Sequence, residues 1–381
     1  MTELLAVDGS EVHEADPSID RWVWVRRVLI ASYLVGTYLI LRHTGKIPTD
    51  REIITVWIVG MALLACVGRP WRNALLVLGS WSPFLAALFF YDFARAFGYW
   101  LYHGHDAIPF VVKPQIAVDR FLGGGRLWTE RLQGWLVADR IGLGKVPLAE
   151  VERRLRGDKS SVRWYDIVVA GVYTSHFMVP YLTAGYLWRR GQRIWRWYAG
   201  TFVAVAFSCC LIFALVATAP PWYAAAKGLI DPFPRVLATR AWNRVGLSFA
   251  ARAIDKGKNT VNPFAAIPSL HSADALMVSL FVWPHLHRWT KWFVRPILIA
   301  FPLAMAFALV YSGEHYLIDV FAGWFVVGVA LTVGWFLRKR YGWANPWRDG
   351  PKFTSTRFVP LEAVSVQKTR GTRDEMPHVI S

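Results

Sequence analysis

Two short strings carry the residue types that could do chemistry on a phosphate group. Residues 268–271 read Pro-Ser-Leu-His, and residues 314–319 read Glu-His-Tyr-Leu-Ile-Asp. Each string opens a long apolar segment, so two histidines and an aspartate are expected at the beginnings of two membrane helices, with Pro268 at the first helical position. Helix N-termini present unpaired N–H groups and a partial positive charge, and they therefore suit an anion such as phosphate.

The spacing of His271, His315 and Asp319 suggests a different catalytic role for each residue. His315 and Asp319 stand four residues apart, so both project from the same face of a helix. An imidazole can attack phosphorus when a carboxylate fixes its tautomer and stabilises its cation, which suits His315 with Asp319. A second imidazole can protonate the departing oxygen, which suits His271. A single histidine at a membrane interface is more often an anchor, but two such helix beginnings favour a catalytic function.

Two further polar residues lie inside apolar segments. Asp274 follows His271 by one helical turn, and a carboxylate within a span is costly, so it either orients His271 or meets water at the helix mouth. His176 lies about eleven residues, or about 16 Å, into its predicted span. That depth favours a structural hydrogen bond to a neighbouring helix over direct catalysis.

The composition excludes an ordinary soluble domain. Of 381 residues, 55% are hydrophobic and 18% are charged, and 21 are Trp, which is favoured at membrane–water interfaces. The formal net charge is +17, but the basic residues fall mostly between apolar runs. Cytoplasmic loops and anionic lipids explain that distribution better than nucleic acid does. We therefore expect membrane lipids, and no nucleic acid, as partners.

We predict an all-α integral membrane protein, a polytopic bundle of about eight transmembrane helices. A spanning helix needs about 20 apolar residues. Eight segments approach this requirement, at about 23–41, 53–68, 73–102, 165–188, 197–219, 269–287, 292–312 and 315–337. The predicted organisation is a cytoplasmic segment 1–22, three N-terminal transmembrane helices over 23–102, an outer loop with an amphipathic segment over 103–164, a core over 165–337, and a basic cytoplasmic tail over 338–381 that is expected to be disordered.

The basic residues of the short loops decide the predicted orientation. They cluster between segments two and three, four and five, and six and seven, and again after segment eight. All these loops and both termini are therefore expected in the cytoplasm, and the long loops 103–164 and 220–268 outside. Because His271 begins the sixth segment and His315 the eighth, both fall on the outer face. We predict a multi-pass protein of the plasma membrane with an outward-facing site.

The two strings, extended to 266–272 and 315–323, resemble the second and third signature motifs of the type-2 phosphatidic acid phosphatase (PAP2) superfamily. The Pro-Ser-Leu-His form is more similar to the inositol-phosphotransferase branch, which includes fungal inositol phosphorylceramide synthase. Residues 173–180 and 219–222 are also similar to that branch. The resemblance covers about 165–337, and more weakly 115–135.

The resemblance implies a six-helix core, an outward-facing site and a covalent phosphohistidine, with no metal and no cofactor. His315 matches the family's nucleophile, Asp319 its orienting acid and His271 the general acid. The residues seven and six before the nucleophile are usually Ser-Arg, but here they are Ala308 and Leu309.

The resemblance therefore does not assign the basic residues that would bind the phosphate. A partial match to the first signature has Lys113 and Arg120, with Phe where the pattern has Pro after the arginine. A charged oxyanion in transfer needs such groups. The candidate substrate-binding residues are Lys113, Arg120, Arg240, Arg244, Arg252, Lys256 and Lys258, together with Ser269 and Asp274.

The leading hypothesis is an integral membrane phosphotransferase that acts through a phosphohistidine on a lipid phosphate or phospho-headgroup, with inositol phosphate as one candidate. The substrate would be a phospholipid or a polyprenyl phosphate. The alternative is a phosphatase that hydrolyses phosphatidate or polyprenyl (di)phosphate. A non-enzymatic lipid transporter or scaffold on the same fold is a third reading, although degraded motifs would have favoured it.

Overall fold

The computed structural model describes residues 18–44, 51–103, 111–138, 142, 145–157, 162–236, 240–246, 265–286 and 290–342. The predictions for the N-terminal segment 1–17 and for the tail beyond 342 lie outside the described residues. The same holds for three candidate phosphate ligands, Arg252, Lys256 and Lys258.

Within these ranges the chain is helical and forms no β-strand, as the sequence predicts. Two isolated bridges join Val111 to Thr218 and Thr218 to Ala265. The helices are α1 Ser18–Thr44, α2 Arg51–Leu64, α3 Trp71–His103, α4 Lys113–Leu122, α5 Trp128–Leu136, α6 Leu148–Gly157, α7 Trp164–Ser175, α8 Val179–Arg190, α9 Gln192–Leu215, α10 Pro221–Ala226, α11 Arg240–Arg244, α12 Leu270–Val282, α13 Lys291–Ser312 and α14 Leu317–Arg340.

By length and composition, five helices of the described chain could cross a membrane, and a sixth crossing arises if the bent pair α7–α8 is one span. The long apolar stretches lie in α1, α3, α9, α13 and α14. This supports a membrane protein, whereas the predicted count of eight stays a prediction. The two segments that make the difference are those predicted at 53–68 and 269–287.

Both of those segments form short helices. Helix α2 has 14 residues and α12 has 13, which correspond to about 20 Å each, against about 30 Å of hydrocarbon. After α12 the chain continues as a 3-10 turn, Trp283–His285, at Pro284, whose missing N–H cannot extend the helix. Helix α12 also begins later than predicted. Ser269 caps it, so Pro268 precedes the cap and does not occupy the first helical position.

The bend between α7 and α8 measures 55° and falls at residues 176–178. Pro180 lies in the first turn of α8, and a proline disfavours helical geometry at the residue before it. The predicted span 165–188 is therefore broken near its middle, and His176 lies at the C-terminal end of α7.

Helix α12 lies between two hydrophobic clusters. Its Leu270, Ala273, Met277 and Phe281 pack with residues of α3, α8, α9 and α14. Its Ala275 belongs to the second cluster, with residues of α5, α6, α7, α13 and α14. A helix that is apolar on all sides is expected to be buried, and α12 is the element that both halves of the bundle share.

The N-terminal ends of α12 and α14 are joined by what we call the α12–α14 seam. The backbone N–H of Ser269 donates to the carbonyl of Asp319 at 2.9 Å, and the Ser272 hydroxyl donates to the carbonyl of Val320 at 3.1 Å. Gly323 makes this approach possible. A Cβ at that position would clash with the Ser269 carbonyl and would lie 2.5 Å from Ser272 Oγ.

We predict that Gly323→Ala forces the seam apart. Overpacking of this kind lowers the free energy of unfolding by about 1–3 kcal/mol. Gly328→Ala, on the same helix, is the matched control, because an added Cβ at that position has no neighbouring atom within 4 Å. Thermal unfolding in detergent should show a lower Tm for the first variant and an unchanged or higher Tm for the second. Equal melting of both variants would contradict the tight seam.

Candidate active site

Three imidazole rings and one phenol ring form a cluster beside the seam. The ring centroids of His271 and His315 are 5.7 Å apart. The His176 ring lies 4.1 Å from the His271 ring, and Tyr173 stacks on His271 at 5.4 Å. The two sequence strings therefore meet in space, as expected for two segments that begin on the same face. His176, which the sequence assigned to a structural role, lies in direct contact with His271.

His315 lies in a tight turn between α13 and α14. Gly313 ends α13 in the left-handed conformation, with φ of 75°. The backbone N–H groups of Glu314 and His315 then donate to the carbonyl of Leu309, at 3.0 and 3.3 Å. A Cβ on Gly313 would come within 2.8 Å of the Phe233 ring. Glycine is therefore required here for both its conformation and its size.

The tautomer of His315 follows from one backbone contact. Its Nδ1 lies 2.9 Å from the carbonyl oxygen of Ala266, which can only accept a hydrogen bond. Nδ1 therefore carries the proton, and the lone pair is on Nε2. Asp319 Oδ2 is 3.6 Å from the same Nδ1, beyond hydrogen-bond distance. The sequence correctly brings Asp319 to His315, but the Ala266 carbonyl, and not the carboxylate, fixes the tautomer.

Asp319 is fully buried and held by two other donors. Its Oδ1 accepts from Gln115 Nε2 at 2.8 Å, and its Oδ2 accepts from the backbone N–H of Tyr316 at 2.9 Å. The second bond caps the first turn of α14. These contacts fix the carboxylate beside the His315 ring, where it can stabilise a positive charge on that ring.

A second buried carboxylate, Asp119, also binds the beginning of α14. Its Oδ1 accepts from the N–H of Leu317 at 2.8 Å, and its Oδ2 accepts from the N–H of Trp128 at 2.9 Å. Burial raises the pKa of Asp119, the two N–H donors lower it, and the nearby carboxylates of Asp319 and Glu130 raise it. The sequence analysis missed Asp119 and Gln115, although the weak resemblance over 115–135 included both.

These bonds correct one expectation about the helix ends. The N–H groups of Tyr316 and Leu317 already bind protein carboxylates. At α12 the N–H groups of Ser272 and Ala273 donate to the side chain and the carbonyl of Ser269. These four N–H groups are therefore engaged within the protein, and basic side chains are further candidates for the positive partners of a phosphate.

Asp274 faces His176 across the bundle. The distance from Asp274 Oδ2 to His176 Nδ1 is 3.3 Å, and both side chains are almost completely buried. The sequence left two alternatives for Asp274, to orient His271 or to meet water. The structure brings it to His176, whose ring lies against the His271 ring.

Arg235 is a cation that the sequence analysis missed. Its guanidinium makes a two-pronged contact with the Glu314 carboxylate, at 2.9 to 3.1 Å, and lies 4.1 Å from the Trp222 ring centroid. The backbone N–H of Trp222 in turn donates to the carbonyl of Gly313 at 3.1 Å. Arg235 is thereby anchored to the turn that carries His315. No sequence motif marks it, because its partner is 79 residues away.

The described candidates for substrate binding differ in position. Lys113 is exposed and Arg120 half-buried on α4, the helix that packs on the beginning of α14. Arg120 is within electrostatic reach of the Tyr316 hydroxyl. Arg244 is exposed on α11, which Arg240 begins. Ser269 is fully buried as the cap of α12, and its part in substrate binding stays a prediction.

An apolar groove of about 470 Å³ lies between α12, α13 and α14. Two residues of its lining lie close to the site along their helices. Leu276 follows His271 by five positions and Trp324 follows Asp319 by five positions, which is about 7–8 Å along each helix. Ser279 also lines the groove. The groove is bounded by Leu276, Ser279, Leu280, Trp283, Leu298, Ile299, Pro302, Leu303 and Trp324.

Comparison with known protein families finds a match over part of the chain. The sequence model of the PAP2 superfamily matches residues 149–333, a range that contains the three imidazoles, Asp274 and Asp319. Members of that superfamily are generally phosphatases or phosphotransferases. The match begins after α4, so Gln115 and Asp119 lie outside it. No curated protein and no solved structure matches the chain.

We predict that Asp119→Ala destabilises the site from outside the matched range. The change leaves two N–H groups without their acceptor, and bonds to a charged acceptor contribute about 1.5–3 kcal/mol each. We expect the free energy of unfolding to fall by about 3 kcal/mol. Asp231→Ala, at an exposed position, is the control. Thermal unfolding of both variants checks this, and an unchanged Tm for Asp119→Ala would contradict the anchoring role.

Proposed function

We propose that this protein is an integral membrane phosphotransferase that forms a covalent phosphohistidine on His315. The observation that carries the proposal is the hydrogen bond between His315 Nδ1 and the Ala266 carbonyl, which leaves the lone pair on Nε2. A second imidazole, His271, lies beside it with the ring centroids 5.7 Å apart, so a proton donor is available at the same site.

The proposed reaction has two steps that share one intermediate. In the first, His315 Nε2 bonds to phosphorus, the bond from phosphorus to the leaving oxygen breaks, and His271 gives that oxygen its proton. The His315 ring becomes cationic because Nδ1 keeps its proton, and Asp319 at 3.6 Å balances the charge. In the second step the oxygen of a hydroxyl acceptor bonds to phosphorus, the bond between phosphorus and His315 Nε2 breaks, and the hydroxyl gives its proton to His271.

We assign the counter-charge for the phosphate to Arg235 first and Arg120 second. Arg235 is paired with Glu314, the residue that precedes His315, and its flat guanidinium suits paired phosphate oxygens. It would take the place of the arginine that the family pattern has six residues before the nucleophile. Arg120 lies on α4 beside the beginning of α14, close enough for its charge to act on the Tyr316 hydroxyl.

The donor in this proposal is an amphiphile. The groove between α12, α13 and α14 begins about one to two helical turns from His271 and Asp319, and its lining is almost entirely apolar. A hydrocarbon chain can lie in the groove while the phosphate lies at His315. An inositol phosphate headgroup is one candidate for the transferred group, on the basis of the Pro-Ser-Leu-His string.

We further propose that the site faces the outside of the plasma membrane. Helix α14 begins at the site and ends in Arg338, Lys339 and Arg340, about 36 Å away for 24 residues. Helix α8 likewise begins near His176 and ends in Arg189 and Arg190. Basic helix ends favour the cytoplasm, and the site is at the opposite ends of these helices.

Hydrolysis of phosphatidate or of a polyprenyl (di)phosphate uses the same intermediate, with water in place of the hydroxyl acceptor. Transfer and hydrolysis therefore differ in the second step alone, and product analysis separates them. A transporter or scaffold would need no phosphohistidine.

We predict that His315→Ala abolishes turnover. Purified protein in detergent is given phospholipid labelled in its phosphate, with and without free inositol. The wild type should release or transfer the label and should yield an acid-labile phosphoprotein, and His315→Ala should do neither. His271→Ala should slow turnover by about 10²–10⁴-fold, the usual contribution of a general acid.

His43→Ala, at an exposed position on α1, is the matched control and should leave turnover unchanged. Label that moves to inositol supports transfer, whereas label released as inorganic phosphate supports the phosphatase alternative. Turnover that persists in His315→Ala would contradict the covalent mechanism.

We predict that Arg235→Gln lowers kcat/KM by about 10²–10³-fold, because a donor to the developing charge is lost. Arg244 is another candidate phosphate ligand and is exposed, and Arg244→Gln should have little effect on kcat/KM. The double variant Arg235→Gln with Glu314→Gln is the decisive control, since it removes the unpaired carboxylate that the single change leaves. Full recovery in the double variant would show that Arg235 serves Glu314 and not the phosphate.

A further inference from the structure

We propose that His176 and Asp274 form a second histidine–carboxylate couple, which positions His271 and keeps a proton available on it. The proposal rests on the proposed role of His271 as the general acid, and it assigns to two buried side chains a task that the motif residues alone do not explain. His176 and Asp274 act through His271 and touch no substrate, so both are positioning residues.

Like His315 and Asp319, the couple pairs a buried carboxylate with the Nδ1 of an imidazole, but here the two residues come from different helices. Asp274 Oδ2 is 3.3 Å from His176 Nδ1, and the His176 ring lies 4.1 Å from the His271 ring, tilted by 36°. Asp274 is 1% exposed and His176 is 4% exposed. The order in space is therefore carboxylate, first imidazole, second imidazole.

The need for such a couple follows from the cost of burying charge. A general acid must hold its proton before it acts, and a protonated imidazole within an apolar bundle requires a nearby negative charge. Asp319 is committed to Gln115, Tyr316 and the His315 ring. Asp274 is the carboxylate next to the His176–His271 stack, and a carboxylate buried in such a bundle marks a functional site by default.

The backbone explains how His176 reaches its position. It lies where α7 ends and the chain bends by 55° into α8, so its ring comes from a different helix than that of His271. Tyr173, one turn earlier on α7, stacks on His271 at 5.4 Å, and Phe177 packs edge-on against it at 6.4 Å. The end of α7 thus holds the His271 ring from more than one side.

Other titratable groups face the couple from the elements packed around it. Tyr198 on α9 lies near Asp274 and near Tyr181 on α8, and the Tyr198 hydroxyl donates to the Pro180 carbonyl at 2.8 Å. His315 and Asp319 face His271 from the beginning of α14. Asp274 and Asp319 thus bring negative charge toward the imidazoles from two sides.

The proton balance of the proposal is simple. His271 gives its proton to the leaving oxygen in the first step and is neutral while His315 carries phosphorus. The acceptor hydroxyl returns a proton to His271 in the second step. Asp274 stays ionised throughout, and its charge favours the protonated state of the imidazole pair.

The test separates this role from a structural one by the choice of leaving group. Asp274→Asn removes the charge and keeps the shape. It should lower kcat for phosphatidate, whose alkoxide must be protonated, by about 10²-fold. It should change kcat for 4-nitrophenyl phosphate by less than about threefold, because that phenolate departs without a proton. An equal loss on both substrates would overturn the proposal.

Two further measurements sharpen the outcome. The alkaline limb of the pH–rate profile for phosphatidate should move to lower pH in Asp274→Asn, since His271 then loses its proton more easily. His176→Phe keeps an aromatic ring on His271 and removes the contact with Asp274, so it should give the same loss. The double variant should be no worse than either single variant. Additive losses would contradict a coupled pair.

A spectroscopic readout keeps the test independent of turnover. In protein labelled with ¹⁵N-histidine and placed in lipid nanodiscs, the His271 signal is assigned by its absence from His271→Asn. Its titration midpoint should be lower in Asp274→Asn than in the wild type. If the wild type turns over neither ester, the proposed function fails and this titration still decides the proposal. An unchanged midpoint overturns it.

Discussion

The structure depends on the α12–α14 seam, the close contact between the beginnings of two helices. The Ser269 N–H binds the carbonyl of Asp319, and the Ser272 hydroxyl binds the carbonyl of Val320. Because Gly323 has no side chain, the two backbones can approach to hydrogen-bond distance. The same contact fixes His271 relative to Asp319, so the geometry of the site is a consequence of how these helices pack.

The beginning of α14 is neutralised from within the protein. Asp119 and Asp319 accept its first N–H groups, and Gln115 holds Asp319 in place. This arrangement engages two helix-end donors that could otherwise bind a phosphate, and it gathers negative charge beside His315. Phosphoryl transfer requires positive charge, and in the proposed reaction Arg235, which is tied to the turn that carries His315, supplies part of it.

Burial sets the character of the imidazole cluster. His176, Asp274 and Asp319 are all buried, and in such surroundings a charge persists when an opposite charge lies nearby. Each carboxylate has an imidazole as its neighbour, Asp319 with His315 and Asp274 with His176. The break between α7 and α8 makes the second pairing possible, because it brings His176 to the face of His271.

The sequence by itself determined the class of the molecule and the core of the site. Apolar segments and basic loops predicted a helical membrane protein, and the four-residue spacing placed Asp319 next to His315. Those features are local, since helix periodicity and hydropathy act over a few turns of one segment. The sequence paired the two strings because each begins an apolar segment and the predicted number of spans between them is even, a count that stays a prediction.

Tertiary structure alone decided the details. The Ala266 carbonyl fixes the tautomer of His315, Asp119 and Gln115 arrive from 198 and 204 residues away, and Arg235 meets Glu314 across 79 residues. No local pattern encodes contacts between segments so distant in the chain. The count of eight spans likewise depended on where helices end, and α2 and α12 proved short. Packing between helices, and not propensity within them, set these long-range partners.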